Sequence, residues 1–103
     1  MGTKAVTKTK PQPNFDLKEP MMYKVIYIND EVTSMQFVVE SLQKIFGHTF
    51  EEATILTETI HAKGSGVAGI FPYEMAEQKG VEVTQMARSS GFPLQIKLEP
   101  IDD

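Results

Sequence analysis

The side chains best suited to chemistry are three consecutive polar residues, Asn29, Asp30 and Glu31, and a histidine further along the chain, His61. A carboxylate and an imidazole can act together as an acid–base pair. An enzyme of that kind also needs a nucleophile, a metal or oxyanion donors, and no such set is evident here. Asn and Asp are also common in turns, and a histidine near a helix C-terminus interacts favourably with the helix dipole. Local structure therefore explains both sites, and catalysis is the less favoured alternative.

Two further patterns suggest a cofactor and are set aside. Gly64–Gly69 matches the dinucleotide pattern G-x-G-x-x-G, but that pattern binds pyrophosphate only where it follows a strand and opens a helix. Here the glycines are predicted to end a helix and enter a strand. His48 and His61 are the only histidines, neither has a partner at ligand spacing, and the chain has no cysteine. We therefore expect no cofactor and no metal.

The polar triplet is predicted to lie in a turn between a strand and a helix. Residues 22–28 are rich in aromatic and β-branched side chains, which is typical of a strand. Thr33 and Gln36 have the spacing of a helix capping box. Apolar residues then recur at helical intervals up to Phe46, and Gly47 is expected to end this helix in a left-handed conformation.

His61 is predicted to lie in the last turn of a second helix. That helix begins at another capping box, Thr49 to Glu52, and is expected to end near Gly64. The histidine is thereby expected at the C-terminal end of the helix.

Three more elements complete the predicted fold. A short strand is expected over 67–71, followed by a helix with Pro72 at its first position and Gly91 at its end. Residues 94–98 alternate between apolar and polar side chains, as in a half-buried strand. The order β-α-α-β-α-β predicts an α+β sandwich, in which three helices pack on one face of a three-stranded antiparallel sheet.

The composition predicts one globular domain, residues 21–103, after a flexible arm, residues 1–20. The arm has three prolines and few apolar residues, whereas the whole chain of 103 residues is 41% hydrophobic and 23% charged. A net charge of -4 disfavours nucleic-acid binding, and no apolar stretch is long enough to cross a bilayer. Without cysteines or a secretory signal, we expect a cytoplasmic protein, or a stromal one if the source is a plastid lineage. We also expect a monomer.

Several blocks of this sequence resemble the ClpS family of adaptors. The segment YKVIYINDEVTSMQFV, residues 23–38, is similar to the family signature of a strand ending in Asn-Asp-Asp, then Thr, Met and a Phe-Val pair. The resemblance continues through the segments 53–54, 60–61, 69–71, 74–79 and 93–94. It thus covers essentially everything after the arm, and it implies a non-enzymatic adaptor of the Clp protease.

The resemblance implies that the protein recognises a free N-terminal residue of a substrate, typically Leu, Phe, Tyr or Trp. Asn29, Asp30 and a neutral His61 would hold the α-ammonium group, because they offer an amide oxygen, a carboxylate and a ring nitrogen. The pocket for the first side chain would be lined by Glu31, Thr33, Met35, Val38, Thr57, Ile60 and Leu94. Ordinary core packing is the alternative explanation for the apolar members of this set.

Two positions depart from the family pattern. Glu31 stands where the family usually has a second Asp, so selectivity is expected to differ. Thr57 stands where many members have Met, and the shorter side chain leaves room and a polar spot. We therefore expect tolerance for β-branched residues such as Ile and Val.

The same resemblance names a partner, the N-terminal domain of a ClpA- or ClpC-type AAA+ unfoldase. Contact is expected near Glu74 and Lys79, which would equally suit a solvated helix face. The arm resembles the N-terminal extension of the family and would engage the unfoldase while the substrate is handed over. An alternative is a scaffold or regulatory domain that binds the unfoldase without recognising an N-terminal residue.

Overall fold

The predicted order of elements is confirmed by the computed structural model, which describes residues 21–101. The elements are β1 Met22–Ile28, α1 Met35–Phe46, α2 Phe50–Lys63, β2 Ser65–Pro72, α3 Tyr73–Ser89 and β3 Gln95–Pro100. The predicted arm, residues 1–20, lies outside the described residues, so its flexibility stays a prediction.

Strand β1 lies at the centre of a three-stranded antiparallel sheet with the order β2-β1-β3. Val25 of β1 pairs with Gly69 of β2 on one side and with Leu98 of β3 on the other. The register shifts after Val25, and Ala68 is the extra residue of a β-bulge in β2. Because β1 is paired on both edges, its run of β-branched and aromatic residues suits a buried central strand.

The three helices cover one face of this sheet. Val25 and Tyr27 are fully buried on that face, and the Ile96 side chain of β3 lies beside Gly80 of α3. The opposite face is more polar, and Lys24 pairs there with Glu99 across the strands. The α+β architecture predicted from the sequence is therefore confirmed. The core is formed by Tyr27, Phe37, Val38, Leu42, Ala53, Ile60, Ala68, Val83, Ala87 and Leu94.

The first helix is capped by a different residue from the one predicted. Ser34, not Thr33, precedes α1 and accepts a hydrogen bond of 3.1 Å from the Phe37 N–H. The Thr33 hydroxyl donates instead to the Asp30 carboxylate, at 2.8 Å. This bond holds the Thr33 side chain against the Asp30 loop, and the next residue, Ser34, takes the capping position.

The second helix begins and ends as predicted. The Thr49 hydroxyl accepts from the Glu52 N–H at 3.0 Å, and the Glu52 carboxylate accepts from the Thr49 N–H at 2.9 Å. Gly64 ends the helix with a φ of 93°. A side chain at this left-handed angle would be strained, so glycine fits the position.

The boundaries of the last elements differ from the prediction by one or two residues. Pro72 is the final residue of β2, with a ψ of 155°, and α3 begins one residue later. The predicted first helical position for Pro72 was therefore wrong, because the sheet holds this residue extended opposite Met22. The helix ends at Ser89 rather than at Gly91, and Leu94 precedes β3 instead of opening it.

A buried hydroxyl pair fixes α1 on the sheet. The Tyr27 hydroxyl lies 2.7 Å from the Ser41 hydroxyl, which donates to the Val38 carbonyl at 2.9 Å. Burial raises the pKa of Tyr27 well above its ordinary value, although the bond to Ser41 opposes that shift. The pair joins β1 to the turn of α1 that carries Val38 and so positions that side chain.

Candidate functional site

A cavity of about 330 Å³ lies where β1 ends and α2 comes to its C-terminus. Nine of the ten residues predicted for amine binding and for the side-chain pocket line it together. They are Asn29, Asp30, Glu31, Thr33, Met35, Val38, Thr57, Ile60 and His61. The cavity therefore combines polar acceptors at its rim with apolar side chains below them.

Asp30 organises the loop that forms the polar rim. One oxygen of its carboxylate accepts from the Val32 N–H at 2.8 Å and from the Thr33 N–H at 2.6 Å. The second oxygen accepts from the Thr33 hydroxyl. Partial burial opposes ionisation, but the bonds from Thr33 and Val32 and the positive charge of Arg88 together lower the pKa of Asp30. The carboxylate is thus held in place and charged at neutral pH.

A backbone hydrogen bond brings Asn29 close to the end of α2. The Asn29 N–H donates to the Gly64 carbonyl at 2.9 Å. A Cβ atom on Gly66 would lie 2.7 Å from the Ile60 side chain, so glycine allows α2 to pack closely on β2. These contacts place His61 in the last turn of α2, exposed at the same cavity as Asn29.

The lower part of the cavity is made by buried side chains of α1 and α2. Val38 and Ile60 belong to the hydrophobic core, and Thr57 is only 3% exposed. Met35 stands at the rim and is 45% exposed. A flexible thioether at that place can adapt its shape to different side chains.

Leu94 is the one predicted pocket residue that does not line the cavity. It is 1% exposed and belongs to the core cluster that also contains Val38 and Ile60. Arg88 donates to the Leu94 carbonyl at 2.8 Å and so fixes the chain before β3. Leu94 therefore packs within the core that carries the cavity.

A larger groove of about 470 Å³ lies between α1 and α2, next to this cavity. The two share Met35 and Thr57. Asn29, Asp30 and His61 do not line the groove. The smaller cavity is the better candidate site, because it brings together nine of the ten predicted site residues, whereas the groove contains only Met35 and Thr57 of that set.

The two residues predicted to contact an unfoldase differ in their surroundings. Glu74 is exposed in the first turn of α3. The Lys79 ammonium donates to the Ile45 carbonyl at 2.8 Å and lies 5.7 Å from the centre of the Phe71 ring. Lys79 thus helps to cap α1, and of the two only the Glu74 side chain is fully on the surface.

Sequence reasoning missed two features of the site. The first is that the Asp30 carboxylate accepts three hydrogen bonds within its own loop. An Asp followed three residues later by a Thr is a sequence pattern that indicates such bonds. The second is the Thr57 hydroxyl, which is buried and has no hydrogen-bond partner among residues 21–101. No local pattern indicates such an unpaired group.

The described part of the chain has neither a metal-type cluster of side chains nor a helix that could span a membrane. Residues 21–101 contain no group of three or more His, Cys, Asp or Glu side chains placed to hold a metal ion. Within the same range, every helix is too short or too polar to span a membrane.

Comparison with known proteins identifies a family model and several proteins of similar sequence. Residues 18–97 match the model of the family described as ATP-dependent Clp protease adaptor protein ClpS. The Clp protease adapter ClpS of Acetivibrio thermocellus is 44% identical over 94 residues, which cover 91% of this chain and 95% of that protein. The ClpS of Helicobacter hepaticus is 46% identical over 83 residues, covering 81% and 84%.

A solved structure shares the fold. Agrobacterium tumefaciens ClpS2 bound to L-phenylalaninamide superimposes with a TM-score of 0.78 at 32% sequence identity. The match covers 81% of this chain and 100% of that one.

Proposed function

The chain belongs to the ClpS family of Clp protease adaptors, and from that premise we propose that the cavity at the end of β1 binds the free N-terminal residue of substrate proteins. The observation that carries the proposal is the pairing of three acceptor side chains with an apolar floor in one cavity. L-Phenylalaninamide, which the Agrobacterium relative binds, has a free α-amine and a bulky apolar side chain. The cavity offers a partner for each of these two groups.

Asn29, Asp30 and His61 hold the α-ammonium group. An ammonium presents three N–H donors, and these residues supply an amide oxygen, a carboxylate oxygen and, in neutral imidazole, a ring nitrogen. The Asp30 oxygen that accepts only the Thr33 hydroxyl keeps a free acceptor position. The lowered pKa of Asp30 keeps it anionic, which suits a cationic ligand.

The apolar part of the cavity takes the first side chain, with bulky Leu, Phe, Tyr and Trp preferred. Two or three charge-assisted hydrogen bonds contribute about 1.5–3 kcal/mol each, and burial of a large side chain adds about 1.5–3 kcal/mol. The loss of rotational and translational freedom offsets much of this sum. Roughly micromolar affinity results, about -8 kcal/mol, which lets the adaptor release its cargo.

The protein performs no chemistry and delivers its cargo to a ClpA- or ClpC-type AAA+ unfoldase in the cytoplasm. The substrate is then degraded by the protease that works with the unfoldase.

Fluorescence anisotropy tests the binding step with two labelled peptides of equal composition, one with Phe first and one with Phe second. We expect micromolar binding for the first peptide only, and equal binding of both would refute the proposal.

His61→Ala is expected to weaken peptide binding about tenfold. The substitution removes one of the three acceptors for the ammonium, and a hydrogen bond to a charged group contributes about 1.5–3 kcal/mol. Asp30 remains, and its lowered pKa keeps it anionic. The control is His61→Gln, which keeps an acceptor at the same place and should bind more tightly than His61→Ala. An affinity that is unchanged in His61→Ala would exclude this role for His61.

Peptides that begin with Ile or Val are expected to bind measurably to the wild-type protein. The short Thr57 side chain is buried in the cavity and leaves more room there than a longer side chain would. A panel of peptides that differ only in the first residue measures the affinities. If the wild-type protein rejects Ile and Val completely, the predicted tolerance is wrong.

Removal of residues 1–20 is expected to leave peptide affinity unchanged and to slow degradation by the reconstituted unfoldase and protease. The cavity is built entirely from residues 29–61, whereas the arm is expected to engage the unfoldase. Normal delivery by the shortened chain would show that the arm has no such role.

Glu74→Lys is expected to weaken unfoldase binding, because it replaces an exposed carboxylate by a positive charge. Glu82→Lys, further along α3, is the matched control.

A further inference from the structure

Thr57 carries a buried hydroxyl that has no hydrogen-bond partner among residues 21–101. Two neighbours on the same helix behave differently. The Thr54 hydroxyl donates to the Phe50 carbonyl at 2.8 Å, and the Thr59 hydroxyl donates to the Ile55 carbonyl at 3.1 Å. Most buried polar groups in proteins are paired, so an unpaired one at a cavity points to a missing partner.

The position of Thr57 indicates what that partner is. It lies four residues before His61 on the same face of α2, about 6 Å deeper along the helix axis. If His61 holds the α-amine, the separation of His61 and Thr57 along the helix is comparable to the length of a tyrosine side chain from Cα to hydroxyl. Threonine in a helix populates two side-chain rotamers, so the hydroxyl can turn towards a bound group.

We propose that Thr57 hydrogen-bonds the phenol of an N-terminal tyrosine and thereby makes this protein prefer tyrosine to phenylalanine. The inference rests on the proposed function, because it assigns the polar end of the ligand that the same cavity binds. A buried tyrosine hydroxyl usually has a partner, and Val38 and Ile60, the buried apolar residues that line the same cavity, offer none. With phenylalanine bound, the Thr57 hydroxyl would still have no hydrogen-bond partner.

The expected preference is about three- to tenfold in dissociation constant. That ratio corresponds to about 0.7–1.4 kcal/mol, within the range of a neutral hydrogen bond. A site that hydrogen-bonds a ligand hydroxyl discriminates well against an analogue that lacks it, because its own polar group is then left unpaired.

The test compares peptides that begin with Tyr, Phe or 4-methylphenylalanine and are otherwise identical. The methyl group matches the size of the phenol hydroxyl but forms no hydrogen bond. Wild-type protein is expected to bind Tyr about three- to tenfold more tightly than either analogue. In Thr57→Val, which keeps the shape of the side chain, the ratio of Tyr to Phe affinity is expected to fall to about one.

Two further variants separate the hydroxyl from the fold. Thr57→Ser keeps a hydroxyl and is expected to keep the preference for Tyr. Thr59→Val removes a hydroxyl that already has a backbone partner and should leave the ratio unchanged. Thermal unfolding should show Thr57→Val to be at least as stable as wild type, since it removes an unpaired buried group.

Each outcome decides the inference. Equal binding of Tyr and Phe by wild-type protein, or a preference that survives in Thr57→Val, would overturn it while leaving N-terminal recognition intact. If none of the three peptides bound, the proposed function itself would fail, and the role of Thr57 would fail with it.

Discussion

N-terminal acetylation is expected to lower the affinity of a peptide that begins with Phe by at least about a hundredfold. The acetyl group removes the positive charge and two donors, and it adds bulk between Asn29, Asp30 and His61. The loss of even two charge-assisted hydrogen bonds exceeds about 3 kcal/mol, which is more than a factor of a hundred. Anisotropy with the free and the acetylated peptide measures the ratio directly.

The matched control acetylates a lysine side chain further along the same peptide. That change removes the same charge but leaves the N-terminus free, so the affinity should stay within about twofold. Similar affinities for the free and the N-acetylated peptide would mean that the cavity does not recognise the α-amine.

Asp30→Ala is the substitution in the protein with the largest expected effect on binding, a loss of at least about a hundredfold. The carboxylate serves twice, since it attracts the ammonium and accepts three bonds that shape the loop from Asp30 to Thr33. Its removal withdraws the negative charge and leaves the Val32 and Thr33 N–H groups without their acceptor. Titration calorimetry with a peptide that begins with Phe gives the change in affinity.

Asp30→Asn separates the two roles of this side chain. The amide oxygen can still accept bonds from the loop but carries no charge, so binding should fall to a level between wild type and Asp30→Ala. Glu82→Ala, on the exposed surface of α3, controls for the loss of a carboxylate elsewhere. An Asp30→Ala protein that folds and binds like wild type would exclude Asp30 from the amine site.

Features of the fold that depend on neighbouring residues were predictable from the sequence. The capping box at Thr49 and the left-handed glycines at Gly47 and Gly64 follow from rules that involve only a few residues each. The β1 strand was equally clear, because residues 22–28 are rich in aromatic and β-branched side chains.

The differences arise where residues distant in sequence, or competing local partners, decide the outcome. Thr33 fits the capping pattern, but the Asp30 carboxylate takes its hydroxyl and Ser34 caps the helix instead. Pro72 suits the first turn of a helix, yet its pairing with Met22 keeps it in β2. Lys79 reaches the Ile45 carbonyl, a contact across 34 residues that no local pattern specifies.

The candidate site was predicted largely through resemblance, because composition and spacing alone left Asn29, Asp30 and His61 explicable as turn and helix-end residues. The fold explains why separate segments meet there. The Asn29 N–H bonds to the Gly64 carbonyl and thereby joins the end of β1 to the end of α2. The unpaired Thr57 hydroxyl could not be foreseen, since hydrogen-bond satisfaction depends on packing in three dimensions.

The most direct test of N-terminal recognition is a titration of ¹⁵N-labelled protein with phenylalaninamide, followed by two-dimensional NMR. The expected result is saturable shifts of the amide signals of Asn29, Asp30, Thr33, Thr57 and His61, with N-acetyl-phenylalaninamide causing none of them at equal concentration. Shifts centred on the groove between α1 and α2, or the same shifts with both compounds, would contradict recognition of a free α-amine at the end of β1.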